Sequence, residues 1–160
     1  MTKHPQMIIG WKEWVSLPEL RIPAIQAKVD TGAKTSSLHA FNIKRFTRQG
    51  NPFVRFELHP IRKNTTITRI REAPLVGKRT VKSSGGEREK RPVIKTRLNI
   101  NGAEWEIELN LTNRDYMGFR MLIGREALAK KVMINPGVPF IQAKLSDLKA
   151  MSLYRRRKRK

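Results

Sequence analysis

The chain has 160 residues, no cysteine and a formal net charge of +21. That length sets the expectation of one domain with a modest core. The missing thiols exclude disulfides and cysteine nucleophiles, and no apolar run is long enough for a transmembrane helix. Arg155–Lys160 supplies six of the positive charges, which leaves +15 on residues 1–154. The body is therefore basic in its own right and attracts polyanions: RNA, DNA, acidic lipid or acidic peptide. Met1 to Gly10 has too short an apolar stretch for a signal peptide, so a cytoplasmic location without membrane contact is expected. Met7 to Trp14 reads as a first strand and Ile22 to Val29 as a second, with Ile25, Ala27 and Val29 alternating with polar residues. Phe41 to Phe46 and Phe53 to Leu58 flank Gln49-Gly50-Asn51-Pro52, a hairpin signal. Residues 61–92 are polar, basic and weakly periodic, with a mobile loop expected around Ser83-Ser84-Gly85-Gly86-Glu87. Val93 to Leu111 alternates on both sides of Asn101-Gly102, which predicts a type I′ hairpin. Glu126 to Lys131 reads as a short helix, Val132 to Ile141 as extended chain, and Leu145 to Tyr154 as a second helix. The pattern is all-β, a small barrel or sandwich. The expected organisation is a domain over 1–145 followed by a basic tail over 146–160, partly disordered.

Two segments carry chemistry. Asp30-Thr31-Gly32 closes the second strand, and a carboxylate held there by a small hydroxyl residue and a glycine is how aspartic proteases present their catalytic acid. About ninety residues later, Met121-Leu122-Ile123-Gly124-Arg125 is an apolar run that ends in Gly-Arg and enters the short helix. Together the two signatures resemble retroviral-type aspartic proteases. Val29–Ala40, Glu57-Leu58-His59-Pro60, Val81–Gly86 and Leu111–Arg125, in that order, resemble more narrowly the RimB-like, retropepsin-like bacterial proteins, a family that carries the label "ATP-dependent zinc protease". The resemblance covers about residues 8–142. It implies an acid-protease β-barrel with one short helix after the Gly-Arg motif, and a retropepsin-like domain over 1–145.

Peptide hydrolysis without metal or nucleophile needs one carboxylate to activate water and another carboxyl to protonate the carbonyl oxygen. Carboxyls about 3 Å apart share a proton. This chain has a single Asp-Thr-Gly, so a dyad requires two chains related by a two-fold axis. Asp30 is the expected base and acid, Thr31 the brace between paired loops, and Gly32 the point of close backbone approach. In the retroviral enzymes the second residue after the motif is usually acidic, lines the groove and pairs with the arginine of Gly-Arg. Here it is Lys34, which favours an acidic substrate and leaves Glu126 or Asp115 as the expected partner of Arg125. The candidate substrate-binding residues are Lys34, Thr35, Ser36, Arg79 and Lys82. Gly124, Arg125, Arg114 and Asp115 form the structural motif, and the flap is expected within 61–92.

No metal or cofactor is expected. There is no His-Glu-x-x-His, His4, His39 and His59 are scattered, and no P-loop is present. His39 reads as a structural histidine. The family's association with RimK-like ligases, which add glutamates to a ribosomal protein, implies an acidic peptide substrate, in its narrowest form a polyglutamate tail. A second reading is a catalytically silent ribosome- or RNA-binding protein on the same fold. There Arg69, Arg71, Lys78, Arg79, Lys82 and the tail would meet phosphates. Non-specific RNA contact fits either.

Overall fold

Strands form where β-branched and aromatic residues alternate with polar ones, so that one face of each is buried. In a computed structural model, which describes residues 6–82, 85–113 and 118–155, the first of them are β1 (Met7–Gly10), β2 (Lys12–Leu17), β3 (Ile22–Asp30) and β4 (Ser36–His39). They are followed by β5 (Phe41–Arg48), β6 (Asn51–Leu58), β7 (Arg69–Lys82), β8 (Arg88–Ile100) and β9 (Ala103–Thr112). The chain ends with β10 (Met121–Gly124), the short helix α1 (Arg125–Leu128), β11 (Val132–Asn135) and α2 (Asp147–Arg155). Nine strands form one sheet in the order β2-β3-β10-β4-β9-β8-β7-β6-β5. β2 also pairs with β8 through Ser16 and Asn99, which brings six of the strands into a ring. Ile25, Leu38, Leu98, Leu109 and Ile123 fill the interior and are fully buried. The fold is all-β and retropepsin-like.

The turns follow local chemistry. Asn101 and Gly102 both have positive φ, 48° and 92°, and join Ile100 to Ala103 as the two-residue hairpin that Asn-Gly favours. Gln49 and Gly50 do the same at 53° and 81°. Arg48 therefore pairs directly with Asn51, and the strand expected to begin at Phe53 takes in Asn51 and Pro52.

Residues 61–92 depart from expectation. Most of the stretch is the 14-residue strand β7 and the start of β8. The first half of β7 pairs with β6, Leu58 opposite Arg69 through Phe53 opposite Pro74, and the second half pairs with β8 down to Lys82 opposite Arg88. Only Ala73 of β7 is buried, so its faces leave no hydrophobic alternation to read, and ladder hydrogen bonds to two neighbours hold it extended. Ser83 and Ser84, at the centre of the expected loop, lie outside the described residues.

The expected first strand divides at Trp11. β1 pairs in parallel with β11, whereas β2 pairs with β3. Gly10 sits at the break, where a Cβ would lie 2.2 Å from the Val138 carbonyl oxygen. Glu13 organises this corner. Its carboxylate is fully buried and accepts hydrogen bonds from the backbone N–H groups of Gly10 (2.7 Å), Ile141 (2.8 Å), Gln142 (3.1 Å) and Ala143 (3.4 Å). One side chain thus satisfies donors from both ends of the chain.

α2 begins where Ser146 caps it by accepting from the Lys149 N–H. It packs on β3 through Ala150 and Tyr154. The Tyr154 hydroxyl donates to the Ala24 carbonyl, and burial pushes that phenol well above its ordinary range. Of the basic tail, Arg155 closes α2 and residues 156–160 lie outside the described residues.

Replacing Glu13 by alanine leaves these N–H groups without an acceptor, and each costs about 1–3 kcal/mol when buried. Glu13→Ala should therefore lower the unfolding free energy by about 3 kcal/mol or more in urea titration.

Candidate active site

β10 lies between β3 and β4, parallel to the first and antiparallel to the second. Its register sets Gly124 opposite Asp30 and Leu122 opposite Ser37. The loop from Thr31 to Thr35 joins β3 to β4 across the end of β10, and Gly124 gives it room. A Cβ at Gly124 would stand 2.5 Å from the Thr35 carbonyl oxygen and 2.9 Å from that of Ala33. The two segments are then stitched together. The Arg125 N–H donates to Ala33 O (2.8 Å), the Glu126 N–H to Lys34 O (3.2 Å) and the Gly124 N–H to Ser36 Oγ (3.0 Å).

Asp30 is half-buried at the top of β3, and its Oδ1 accepts from the Gly32 N–H at 3.1 Å. That bond orients the carboxyl plane and is a charge-assisted contact. Thr31 and Gly32 are exposed beside it. The Arg125 guanidinium lies 3.4 Å from Thr31 O and 3.3 Å from Gly32 O. It therefore braces the loop through carbonyls, and of the two acids expected as its partner, Glu126 or Asp115, the second lies outside the described residues. Glu126 instead approaches Arg79 at 3.9 Å. The reason is geometric: the loop folds back over the start of α1, so its carbonyls reach Arg125 first. Arg114 and Asp115 lie outside the described residues.

A cleft of about 890 Å³ opens over Asp30. Lys34 and Thr35 line it from the loop, Arg79 and Lys82 from β7, and Lys28 and Arg91 complete its cationic wall. Asp30 is the one carboxylate among the described residues that line it. The far arm of the β7–β8 hairpin thus stands over Asp30, within the segment expected to hold the flap. Arg79 is held by Glu108 at 2.7 Å. Ser36 is buried and its hydroxyl is the acceptor for Gly124. It lines not this cleft but a neighbouring one of about 610 Å³, which shares Lys34, Thr35 and Arg79, adds Lys131, Glu106, Glu108 and Glu126, and lacks Asp30.

Sequence reasoning missed the polar floor of the Asp30 cleft. Asn110 is buried on β9 between Leu109 and Leu111. Its Oδ1 accepts from Ser37 Oγ (2.8 Å) and Arg91 Nη1 (3.1 Å), and its Nδ2 donates to Thr35 Oγ1 (3.1 Å). A polar side chain in the middle of an apolar run is the one signal that could have marked it. His39 is buried on β4 with its ring 6.1 Å from Phe41. Arg69 and Arg71, expected to meet phosphate in the binding reading, direct their guanidinium donors to the carbonyls of Thr68 and Tyr154, and of Leu20, Ile70 and Arg21. Burial, and then the neighbouring Arg21 and Arg69, holds the Arg71 pKa below its ordinary value.

A family model described as "RimB-like: Retropepsin-like aspartic endopeptidase RimB" matches residues 8–145. A Shewanella pealeana protein named "Probable alpha-L-glutamate ligase" is 49% identical over 149 residues, covering 93% of this chain and 32% of the relative. A Desulfotalea psychrophila protein of the same name is 50% identical over 147 residues, covering 91% of this chain and 31% of the relative. The chain thus spans about a third of the length of these curated relatives. A crystal structure of a Legionella pneumophila protein of unknown function is 32% identical and superposes with a TM-score of 0.73, covering 86% of this chain and 99% of that one.

The approach at Gly124 generates a test. Gly124→Ala forces backbone against backbone, where no rotamer can relieve the contact, and overpacking of this kind costs about 1–3 kcal/mol. The variant should show that loss in thermal or urea unfolding, with earlier amide exchange at residues 31–35 than in the parent protein.

Proposed function

The chain belongs to the RimB-like family of retropepsin-like aspartic endopeptidases, and from that premise we propose that it is a homodimeric aspartic peptidase, located in the cytoplasm, that hydrolyses an acidic peptide. The observation that carries this reading is a lone carboxylate, Asp30, on the Asp-Thr-Gly turn of a cleft whose other charged lining residues are all cations.

Two copies bring their Asp30 side chains together, each carboxyl oriented by its own Gly32 N–H and each loop braced from below by Arg125. At a separation of about 3 Å the pair holds one proton between them. The ionised member takes a proton from water as the water oxygen attacks the scissile carbonyl carbon. The protonated member gives its proton to the carbonyl oxygen. On collapse of the tetrahedral intermediate the Asp30 that took the water proton gives it to the amine nitrogen as the C–N bond breaks. The other Asp30 takes a proton from a hydroxyl of the intermediate, which leaves one proton on the pair again. Thr31 links the paired loops, and Gly32 keeps the approach open. The β7–β8 arm, with Arg79 and Lys82, covers the substrate and limits water.

An exposed apolar set supports the dimer. Ile8 and Met133 are cross-strand partners, 49% and 58% exposed, and Val138 and Ile141 lie exposed on the adjoining segment. This corner joins β3 beside Asp30, since the Trp11 carbonyl accepts from the Val29 N–H. Patches of this kind mark association surfaces. The substrate reading rests on charge and on the relatives. Lys28, Lys34, Arg79 and Lys82 favour carboxylates, and the matched relatives are named for glutamate ligation. A polyglutamate tail on a ribosomal protein, added by a RimK-like ligase, satisfies both. Non-specific RNA contact by the basic surface is compatible with it.

The test is mass-spectrometric detection of glutamate loss from a polyglutamate-tailed peptide. Wild type should cleave, and Asp30→Asn should be silent while keeping fold and dimer. Cleavage that survives in Asp30→Asn overturns the mechanism. Equal cleavage of glutamate and glutamine peptides overturns the substrate class. Because the rim cations are exposed, KM for the acidic peptide should rise with salt while kcat holds, the pattern of screened attraction. An unchanged KM between low and high salt would remove the rim cations from recognition.

A further inference from the structure

Arg91 is the one cation of the cleft that is buried, at 5% exposure. It sits on β8 opposite Arg79 of β7, and its surroundings are built rather than incidental. Nη1 donates to Asn110 Oδ1 at 3.1 Å and to Ser37 Oγ at 3.3 Å, and Nε donates to Glu89 Oε1. Asn110 is in turn tied to Thr35, and Thr112 Oγ1 donates to the same Glu89 oxygen at 2.9 Å. A guanidinium carries five N–H groups in a rigid fork, more than these three acceptors take up. Its orientation is locked, and most of its desolvation was met on folding.

From this we infer that Arg91 is a specificity-determining residue: the floor of the cleft is a carboxylate subsite in which the Arg91 guanidinium receives an acidic side chain, or the terminal carboxylate, of the bound peptide. The inference rests on the reading of the cleft as a peptide groove and adds a residue to it. Lys34 and Lys82 are exposed, so solvent and ions screen their attraction within a Debye length. A guanidinium in the low-dielectric floor is screened far less, and its fork pairs with a carboxylate in a fixed geometry. The rim therefore sets how fast an acidic peptide arrives, and Arg91 sets whether it is held. Glu89 is the internal competitor. It is 54% exposed, already contacts Arg91, and moves aside or shares the fork when a substrate carboxylate enters.

The test separates this subsite from catalysis. Binding of tetraglutamate and tetraglutamine to the Asp30→Asn dimer is measured by calorimetry at about 0.05 M and 0.5 M salt, conditions that differ in screening length by about threefold. Arg91→Lys in that background should lose about tenfold or more in tetraglutamate affinity at both salt concentrations, as expected when a charge-assisted fork is lost. Lys34→Gln and Lys82→Gln should lose affinity at low salt only. Glu89→Gln, on the exposed side of the pair and able to keep an oxygen toward Arg91 and Thr112, should bind tetraglutamate more tightly. It therefore decides the matter if Arg91→Lys fails to fold. Parent-like tetraglutamate affinity in Arg91→Lys at high salt, or weaker binding in Glu89→Gln, overturns the subsite. Cleavage is read separately on the chain with Asp30 intact. Arg91-dependent binding without cleavage sinks the peptidase and leaves the subsite. Cleavage with Arg91-independent binding sinks the subsite and leaves the peptidase.

Discussion

The site depends on one close approach. For Asp30 to face a cleft, the loop after β3 must turn back beneath β10, and that crossing brings the carbonyls of Ala33 and Thr35 onto the Cα of Gly124. No side chain fits there. Gly124 has an ordinary extended backbone, with φ of −84°, so its glycine is demanded by space and not by conformation. Once the approach is made, the backbone donors at the start of α1 meet the loop carbonyls, and Arg125 adds two contacts from its guanidinium. The two sequence signatures are the two halves of this single junction. Loss of either half would leave a carboxylate on an unbraced turn.

Around that junction charge is sorted by depth. The cleft over Asp30 carries lysines at its rim and a single, internally bonded arginine at its floor. The neighbouring cleft beyond Arg79 carries three glutamates, Glu106, Glu108 and Glu126, against Lys34, Arg79 and Lys131. A net charge of +21 would by itself suit any polyanion, but the arginines best placed for phosphate on the β6–β7 side are committed to backbone carbonyls. The lysines that line the cleft beside Asp30, Lys28, Lys34 and Lys82, stay exposed instead.

Short-range chemistry was legible in the sequence, and long-range pairing was not. Asn101-Gly102 and Gln49-Gly50 prefer positive φ wherever they occur, so their hairpins could be read. Asp30-Thr31-Gly32 and Leu122-Ile123-Gly124-Arg125 are each contiguous, so both halves of the junction could be read as well. β7 could not, because its faces are open and only its neighbours make it a strand. The burial of Ser36 was out of reach for a related reason. It follows the loop in sequence, but its hydroxyl turns inward to Gly124, and alternation along β4 is decided by what β4 pairs with.

By itself, then, the sequence determined the all-β class, the turns and the two motifs that meet at Gly124, because each depends on a few adjacent residues. The tertiary structure alone decided what those residues touch. It gave Arg125 the carbonyls of Thr31 and Gly32, joined the two chain ends through Glu13, and placed Arg91, Asn110 and Ser37 together under the cleft. These are contacts between strands far apart in the chain. Burial gives such a polar group its strength, and nothing local to Arg91 announces that it is buried.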